Sequence, residues 1–375
     1  MAGEAASPAR TLWLAILAGQ WVAGAIGAGS PTPALRTALE LKLPCRTAGQ
    51  PGGERRTIYA VGDVHGDAEA LRRLLAAAGV TDASGLWNAG DSVLVQSGDL
   101  LDRHSDDLAP VRLLRRLRRG ARERGGEVAW ILGNHEIMNA VGDMRYVPSD
   151  GYEVYDRLMR RWSSAQIDAA LGASADRVPA RERARLAALM PGGLVARAIA
   201  APMALIVGDS LFCHGGVRAS HLPYLADWSR EAEAWLRGDG PMPANALTGV
   251  DSPIWSRKLS SSPPGEEPPA SACAELGLVL SATGCARIVV GHTPQPYGAN
   301  GACDGRVWRV DTGMSLMYGG PAELLRIDGA TGEVSVCSLP RGSDEAVWLC
   351  AEETCAVPRY APLQDMLDVA PARPL

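Results

Sequence analysis

Short apolar runs alternate with amphipathic stretches over residues 56–132. Arg56–Val61, Val93–Gln96 and Val128–Leu132 are too short for helices and carry β-branched residues, which predicts strands. Between them, Ala68–Ala78 sets Leu71, Leu74 and Leu75 on one helical face and stops at Gly79. Leu108–Arg124 sets Val111, Leu114 and Leu117 on one side, with arginines around the rest. Residues 145–200 change character. They are helical and charged, broken at Pro191-Gly192-Gly193, and read as a helical insertion over the site. Strands resume at Met203–Val207 and Ser210–Cys213. Residues 225–285 read as loop-rich, with Ser260–Pro269 the most polar stretch. Ala286–Val290, Val307–Val310, Leu324–Ile327 and Val334–Cys337 are the later strands, and no internal repeat is present. Strand–helix alternation followed by strands with few helices predicts an α/β sandwich.

The two ends differ from this body. Met1–Arg10 is polar, and Thr11–Ala28 is apolar apart from Gln20. Small residues follow at Ala23-Gly24-Ala25 and Ala28-Gly29-Ser30, then Pro31 and Pro33. Residues 1–30 thus read as a signal peptide or signal anchor, against the alternative of a buried N-terminal helix. This leader implies the secretory pathway or another extracytoplasmic or organellar compartment. Glu4 and the single Arg10 count against an Arg-rich presequence. Residues 31–54 are rich in Pro and Gly and read as a linker, 55–340 as one catalytic domain, and 341–375 as a C-terminal tail.

Composition narrows the classes. The chain has 375 residues, 47% hydrophobic and 21% charged, which is ordinary globular composition. One apolar stretch alone approaches the length of a membrane span, so a multi-span protein is excluded, and contact with a membrane requires an uncleaved leader. A net charge of −5 gives no electrostatic case for nucleic acid. Lys42 and Lys258 are the only lysines and Phe212 the only phenylalanine. This reflects a bias toward GC-rich codons, so the arginines of Leu108–Arg124 read as a solvated face. Six of the eight cysteines follow residue 270, and no CxxC occurs. An oxidising compartment would allow disulfides among them, with no pairing specified. Cys213 lies in an apolar strand and reads as a buried thiol.

The chemistry sits where strands end. Gly62-Asp63-Val64-His65-Gly66 follows the first strand and Gly98-Asp99-Leu100-Leu101-Asp102-Arg103 the second. Gly133-Asn134-His135-Glu136, Cys213-His214-Gly215-Gly216 and Gly291-His292-Thr293-Pro294 follow three more. Loops leaving neighbouring strand ends converge on one point in open α/β sheets. Two carboxylates, three imidazoles and one amide suit a pair of divalent cations, provided one carboxylate bridges them. Four of the six histidines fall in these motifs.

The order GDxHG, GDxxDR, GNHE, HGG, GHTP resembles the calcineurin-like metallophosphoesterases, in the phosphoprotein phosphatase branch. Trp87-Asn88-Ala89-Gly90, Met138-Asn139, Gly142-Asp143, Arg145-Tyr146-Val147 and Ile254-Trp255-Ser256-Arg257 narrow it to the Shewanella-like protein phosphatases. The resemblance implies a β-sandwich flanked by helices. It implies Asp63 and His65 on one metal, Asn134, His214 and His292 on a second, and Asp99 bridging. His135 would be the general acid, oriented by Asp102, with Arg103 and Arg257 clamping phosphate. A surface ion pair is the alternative for Arg257. The metals would be Mn, Fe or Zn, which mixed O/N ligands do not distinguish. The implied activity is hydrolysis of phosphoprotein or phosphopeptide monoesters by direct attack of a metal-bridging hydroxide. Members of the group prefer phosphotyrosine, and no residue read here fixes that preference. A dinucleotide polyphosphate or other small phosphoester is the alternative substrate. His104 replaces the usual Gly after Asp-Arg, a strained choice if that turn needs positive φ; it reads as a rim residue. His221 lies in no motif and reads as surface.

Overall fold

The computed structural model describes residues 33–44, 56–260, 266–295 and 298–355. The leader at 1–30 lies outside them. Two mixed sheets form. The first has the order β11-β10-β9-β1-β2-β3, where β1 is Ile58–Val61, β2 Val93–Gln96, β3 Glu127–Trp130, β9 Ala322–Ile327, β10 Val334–Leu339 and β11 Val347–Cys350. β1, β2 and β3 run parallel, in register Ile58↔Val93↔Glu127, and β9 pairs antiparallel to β1. The second has the order β4-β5-β6-β8-β7, where β4 is Ala204–Val207, β5 Ser210–Cys213, β6 Arg287–Val290, β7 Asn300–Ala302 and β8 Val307–Arg309. Here β5, β6 and β8 are the parallel set.

The sheets pack face to face, as expected of a sandwich. Ile58, Ala60, Val93, Val95, Ala129, Phe212, Val289, Trp308 and Leu325 share one buried cluster between them. The alternate residues Val61, Leu94 and Val128 point the other way, into a cluster with Leu71, Leu74, Val111, Leu114 and Leu117 of the flanking helices. A strand covered on both faces has no polar side, which is why these runs are apolar throughout. The helices Ala68–Ala77 and Leu108–Glu123 lie within a residue of their expected limits. The 145–200 region is helical, with segments at Glu153–Met159, Ser164–Leu171, Arg183–Leu189 and Leu194–Ile199.

Four expectations are corrected. Residues 33–44 are part of the domain: Pro33–Leu39 is a helix, Leu39 is buried in the second sheet's outer cluster, and the Leu41 N–H donates to the Ile206 carbonyl at 2.9 Å. The tail contributes β11, which pairs antiparallel with β10. Its side chains are mostly exposed, so no alternation marked it in the sequence. The loop-rich stretch contains helices Leu225–Arg237 and Ala270–Thr283, each ended by a left-handed glycine, Gly238 and Gly284. The second is apolar or small almost all round, which hides its period. His221 is buried, not on the surface; its Nδ1 accepts the Arg218 N–H at 3.2 Å and its ring lies 5.8 Å from that of Trp228. Among the described residues no helix is long and apolar enough to cross a membrane.

Candidate active site

The parallel strands set the site. β1, β2 and β3 of one sheet and β5 and β6 of the other release their loops at carboxyl ends, and all five motifs meet there. Glu136 joins two of these loops. Its Oε2 accepts the Asp99 and Gly133 N–H groups at 2.9 Å, and its Oε1 accepts those of Leu100 at 2.9 Å and Leu101 at 3.3 Å. Asp99 itself accepts the His135 N–H at 2.9 Å. Seven described non-glycine residues have positive φ, and five are His65, Asp99, Asp102, Arg103 and His292. Such strain is retained at positions where function requires the geometry.

Asp99 is central. Its Oδ2 lies 3.8 Å from His65 Nε2, 3.8 Å from His135 Nε2 and 3.3 Å from His214 Nε2. The candidate ligand atoms of His65, Asp99 and His135 lie within 4.8 Å of one another, as do those of Asp99, His214 and His292. Asn134 Oδ1 is 3.0 Å from His214 Nε2, and the His292 N–H donates to both Asp63 oxygens at 3.2 Å. All six residues expected to bind metal are buried and lie together.

The fit to cations is supported by two features. First, backbone carbonyls fix the tautomers. His65 Nδ1 meets the Leu101 carbonyl at 2.9 Å, His214 Nδ1 the Ser97 carbonyl at 2.8 Å, and His292 Nε2 the Trp255 carbonyl at 3.2 Å. A neutral ring that spends its N–H there keeps a lone pair for a metal; burial lowers His214, but Asp99 outweighs it and holds that ring above its ordinary value. Burial, then His135, pushes His65 down to about 3; burial, then Arg257, holds His292 well below its ordinary value. Both rings are therefore neutral, as metal ligation requires. Second, Asp63, Asp99 and Asp311 crowd together with no arginine or lysine paired to them among the described residues. Burial, then Asp311 and Asp99, drives Asp63 well above the usual carboxylate range, and burial lifts Asp311 to about 6. Carboxyl groups crowded this way repel one another when ionised, and a bound cation relieves that repulsion.

His135 is held differently. Its Nδ1 meets Asp102 Oδ2 at 2.6 Å. Burial lowers its pKa, but Asp99 and Asp102 outweigh burial and hold the ring above its ordinary value. Arg103 lies with its guanidinium 4.4 Å from the Tyr146 ring centre and 4.9 Å from that of Tyr318, and its Nε has no hydrogen-bond partner among the described residues. Arg257 donates from Nη1 to the His292 carbonyl at 2.7 Å and Thr293 Oγ1 at 2.8 Å; no carboxylate pairs with it among the described residues. Both arginines line one cleft with Asp63, His65, Asp99 and His135. His104 is half-buried and lines a separate cavity with Gly66, Asp67 and Arg72, and its φ is not positive; the left-handed positions are Asp102 and Arg103.

Several contributors escaped the sequence reading. Asp311-Thr312-Gly313 follows β8 as the other motifs follow their strands, a signal that could have found it. Glu136 stood in its motif without a role. Tyr318 and the buried Arg185 carried no local signal.

The fold and site define a class of protein. The family model of calcineurin-like phosphoesterases matches residues 56–296, and the chain belongs to that family. Within it, the chain stands with the Shewanella-like protein phosphatases. It is 35% identical over 309 residues to Shewanella-like protein phosphatase 2 of Arabidopsis thaliana, covering 76% of this chain and 78% of that one. It is 28% identical to Shewanella-like protein phosphatase 1 of Plasmodium berghei, over 72% of this chain and 71% of the relative. The solved structure of a cold-active protein tyrosine phosphatase superposes with a TM-score of 0.59 at 21% identity, covering 84% of this chain and 81% of that one, a likeness of fold.

Proposed function

We propose that the chain is a metal-dependent phosphoprotein phosphatase. The observation that carries this is the cleft: Asp63, His65, Asp99, Asn134 and His292 line it with His135, Arg103 and Arg257, in a chain 35% identical to a Shewanella-like protein phosphatase. Asp63 and His65 would hold one divalent ion and Asn134, His214 and His292 a second, with Asp99 shared. When bound, such a pair supplies Lewis acidity toward a phosphoryl group and a nucleophile at neutral pH. The protein's own groups do the rest. Arg103 and Arg257 orient the phosphate, since a planar guanidinium matches its oxygens. His135 carries a proton on Nε2 toward the leaving oxygen, while Asp102 fixes the ring through Nδ1. The dinucleotide alternative draws less support, because the Arabidopsis thaliana and Plasmodium berghei relatives are both named as protein phosphatases.

The test is hydrolysis by the purified protein of phosphotyrosine, phosphoserine and phosphothreonine peptides beside a dinucleotide polyphosphate, with Mn²⁺ or with chelator. Chelator-sensitive cleavage of a phosphopeptide is expected; cleavage of the dinucleotide alone would overturn the substrate class. Asp99→Asn and His135→Asn are expected to lower kcat by at least about 10²-fold with folding retained. Activity retained by either would sink the assignment. For the bound metal we propose Mn, Fe or Zn, to be read from metal analysis of the protein as purified. The N-terminal leader supports an exported or organellar protein, and the Cys273–Cys303 disulfide fits an oxidising compartment. The N-terminal sequence of the mature protein tests this: a start at Met1 on protein recovered from the cytosol would refute it.

A further inference from the structure

The geometry points to Arg185, delivered by the 145–200 insertion, as the positioning residue that fixes Asp102 and through it the His135 ring. This rests on the reading of His135 as proton donor.

Arg185 is fully buried, a place where arginine is found only when paired. Every part of its guanidinium is engaged. Nη2 donates to Asp102 Oδ1 at 2.8 Å and Asp107 Oδ2 at 2.7 Å, Nε to Asn139 Oδ1 at 2.9 Å, and Nη1 to the Gly151 carbonyl at 3.2 Å. The Tyr155 ring lies 4.5 Å from the guanidinium carbon. The two oxygens of Asp102 divide the work. Oδ2 meets His135 Nδ1 at 2.6 Å, while Oδ1 accepts from Arg185 and, at 2.9 Å, from Asn139 Nδ2. The carboxylate cannot rotate without breaking one side or the other. Asp107 braces the same group from behind: it accepts the Asp102 N–H at 2.9 Å and the Tyr155 hydroxyl at 3.0 Å.

Asp102, Asp107 and Arg185 are all buried, and Arg185 is the one guanidinium within ion-pair distance of both carboxylates among the described residues, so removing it would leave two buried acids behind the ring without their shared partner. Tyr155, Gly151 and Arg185 all come from the insertion, which thereby reaches the reacting group from beneath instead of only capping the cleft. A positioning role predicts a loss that depends on how much protonation the leaving group needs. A structural role predicts an equal loss on all substrates.

The experiment compares kcat on a phosphoserine peptide, whose alkoxide must be protonated, with kcat on 4-nitrophenyl phosphate, whose phenolate leaves readily. The full-length enzyme, Arg185→Lys, Arg185→Met and His135→Asn are assayed together. Arg185→Lys keeps the charge and so keeps the fold if Arg185→Met does not. Its ratio of the two rates is expected to fall about tenfold, at the weak end of acid–base effects. The His135 Nδ1–H proton signal, read by NMR, is expected to shift or broaden in the same variant. An unchanged ratio and an unmoved signal in Arg185→Lys, beside a lowered ratio in His135→Asn, would overturn the inference alone. An unchanged ratio in His135→Asn would overturn the proton-donor reading, and the inference with it.

Discussion

Single residues here hold conformations that their types disfavour. Asp102 and Arg103 sit at φ of 70° and 62°, so the second loop turns sharply enough to aim both at the cleft. The Arg103 N–H donates to the Tyr146 carbonyl at 3.0 Å, and two tyrosine rings flank its guanidinium, so the clamp is set before substrate arrives. Arg103→Lys keeps the charge and loses the planar fork. We expect kcat/KM on phosphopeptides to drop by about 10²-fold, the scale of one lost transition-state donor; a small change would remove Arg103 from the clamp. His104→Gly is expected to leave the kinetics unchanged, because the strained positions precede it.

At the level of elements, each loop depends on its neighbour. A Cβ on Gly133 would lie 2.1 Å from Asp99 Oδ1, although the φ there is an ordinary −102°. Gly133→Ala must therefore displace Asp99, and we expect loss of bound metal by elemental analysis while the far strands stay folded. The 219–221 turn makes a pH-dependent contribution. Burial, then Arg218, lowers His221 to about 4, whereas the unfolded chain takes up its proton near 6.5. The stability this neutral ring provides is complete above about pH 6.5 and is lost as pH falls toward 4. After allowance for screening the loss is about 1–2 kcal/mol. Thermal unfolding of His221→Gln beside the parent should show a shallower slope over that interval; equal slopes would refute it.

Across the whole molecule, the two sheets are brought close where the site is built. A Cβ on Gly62, at the end of β1, would meet the Val310 carbonyl oxygen, just past β8, at 2.0 Å. One sheet thus carries Asp63, His65, Asp99 and the Asn134-His135 helix start, the other His214 and His292, and neither could assemble the site alone. The Cys273–Cys303 disulfide ties the Ala270–Thr283 helix to the β7–β8 turn across 30 residues. By loop-closure entropy such a link is worth about 3–4 kcal/mol. Thiol titration of unreduced, denatured protein should fall short of eight, and reduction should lower the unfolding midpoint. A count of eight would remove the disulfide.

The sequence by itself determined the sandwich and the cluster of motif residues that lies together in the structure. Both are written locally: apolar runs of four residues mark strands covered on both faces, and Gly-Asp, Asn-His and Gly-His steps mark their ends. It could not reveal β11, whose exposed side chains leave no alternation, nor the Ala270–Thr283 helix, whose apolar faces leave no period. It could not reveal Arg185, 83 residues from Asp102, because a pairing at that distance exists only once the insertion folds back beneath the cleft. Nor could it place Asp311 beside Asp63, since the ends of β1 and β8 meet only when the sheets pack. Local chemistry chose the groups; the packing of two sheets and an insertion decided which charges face one another.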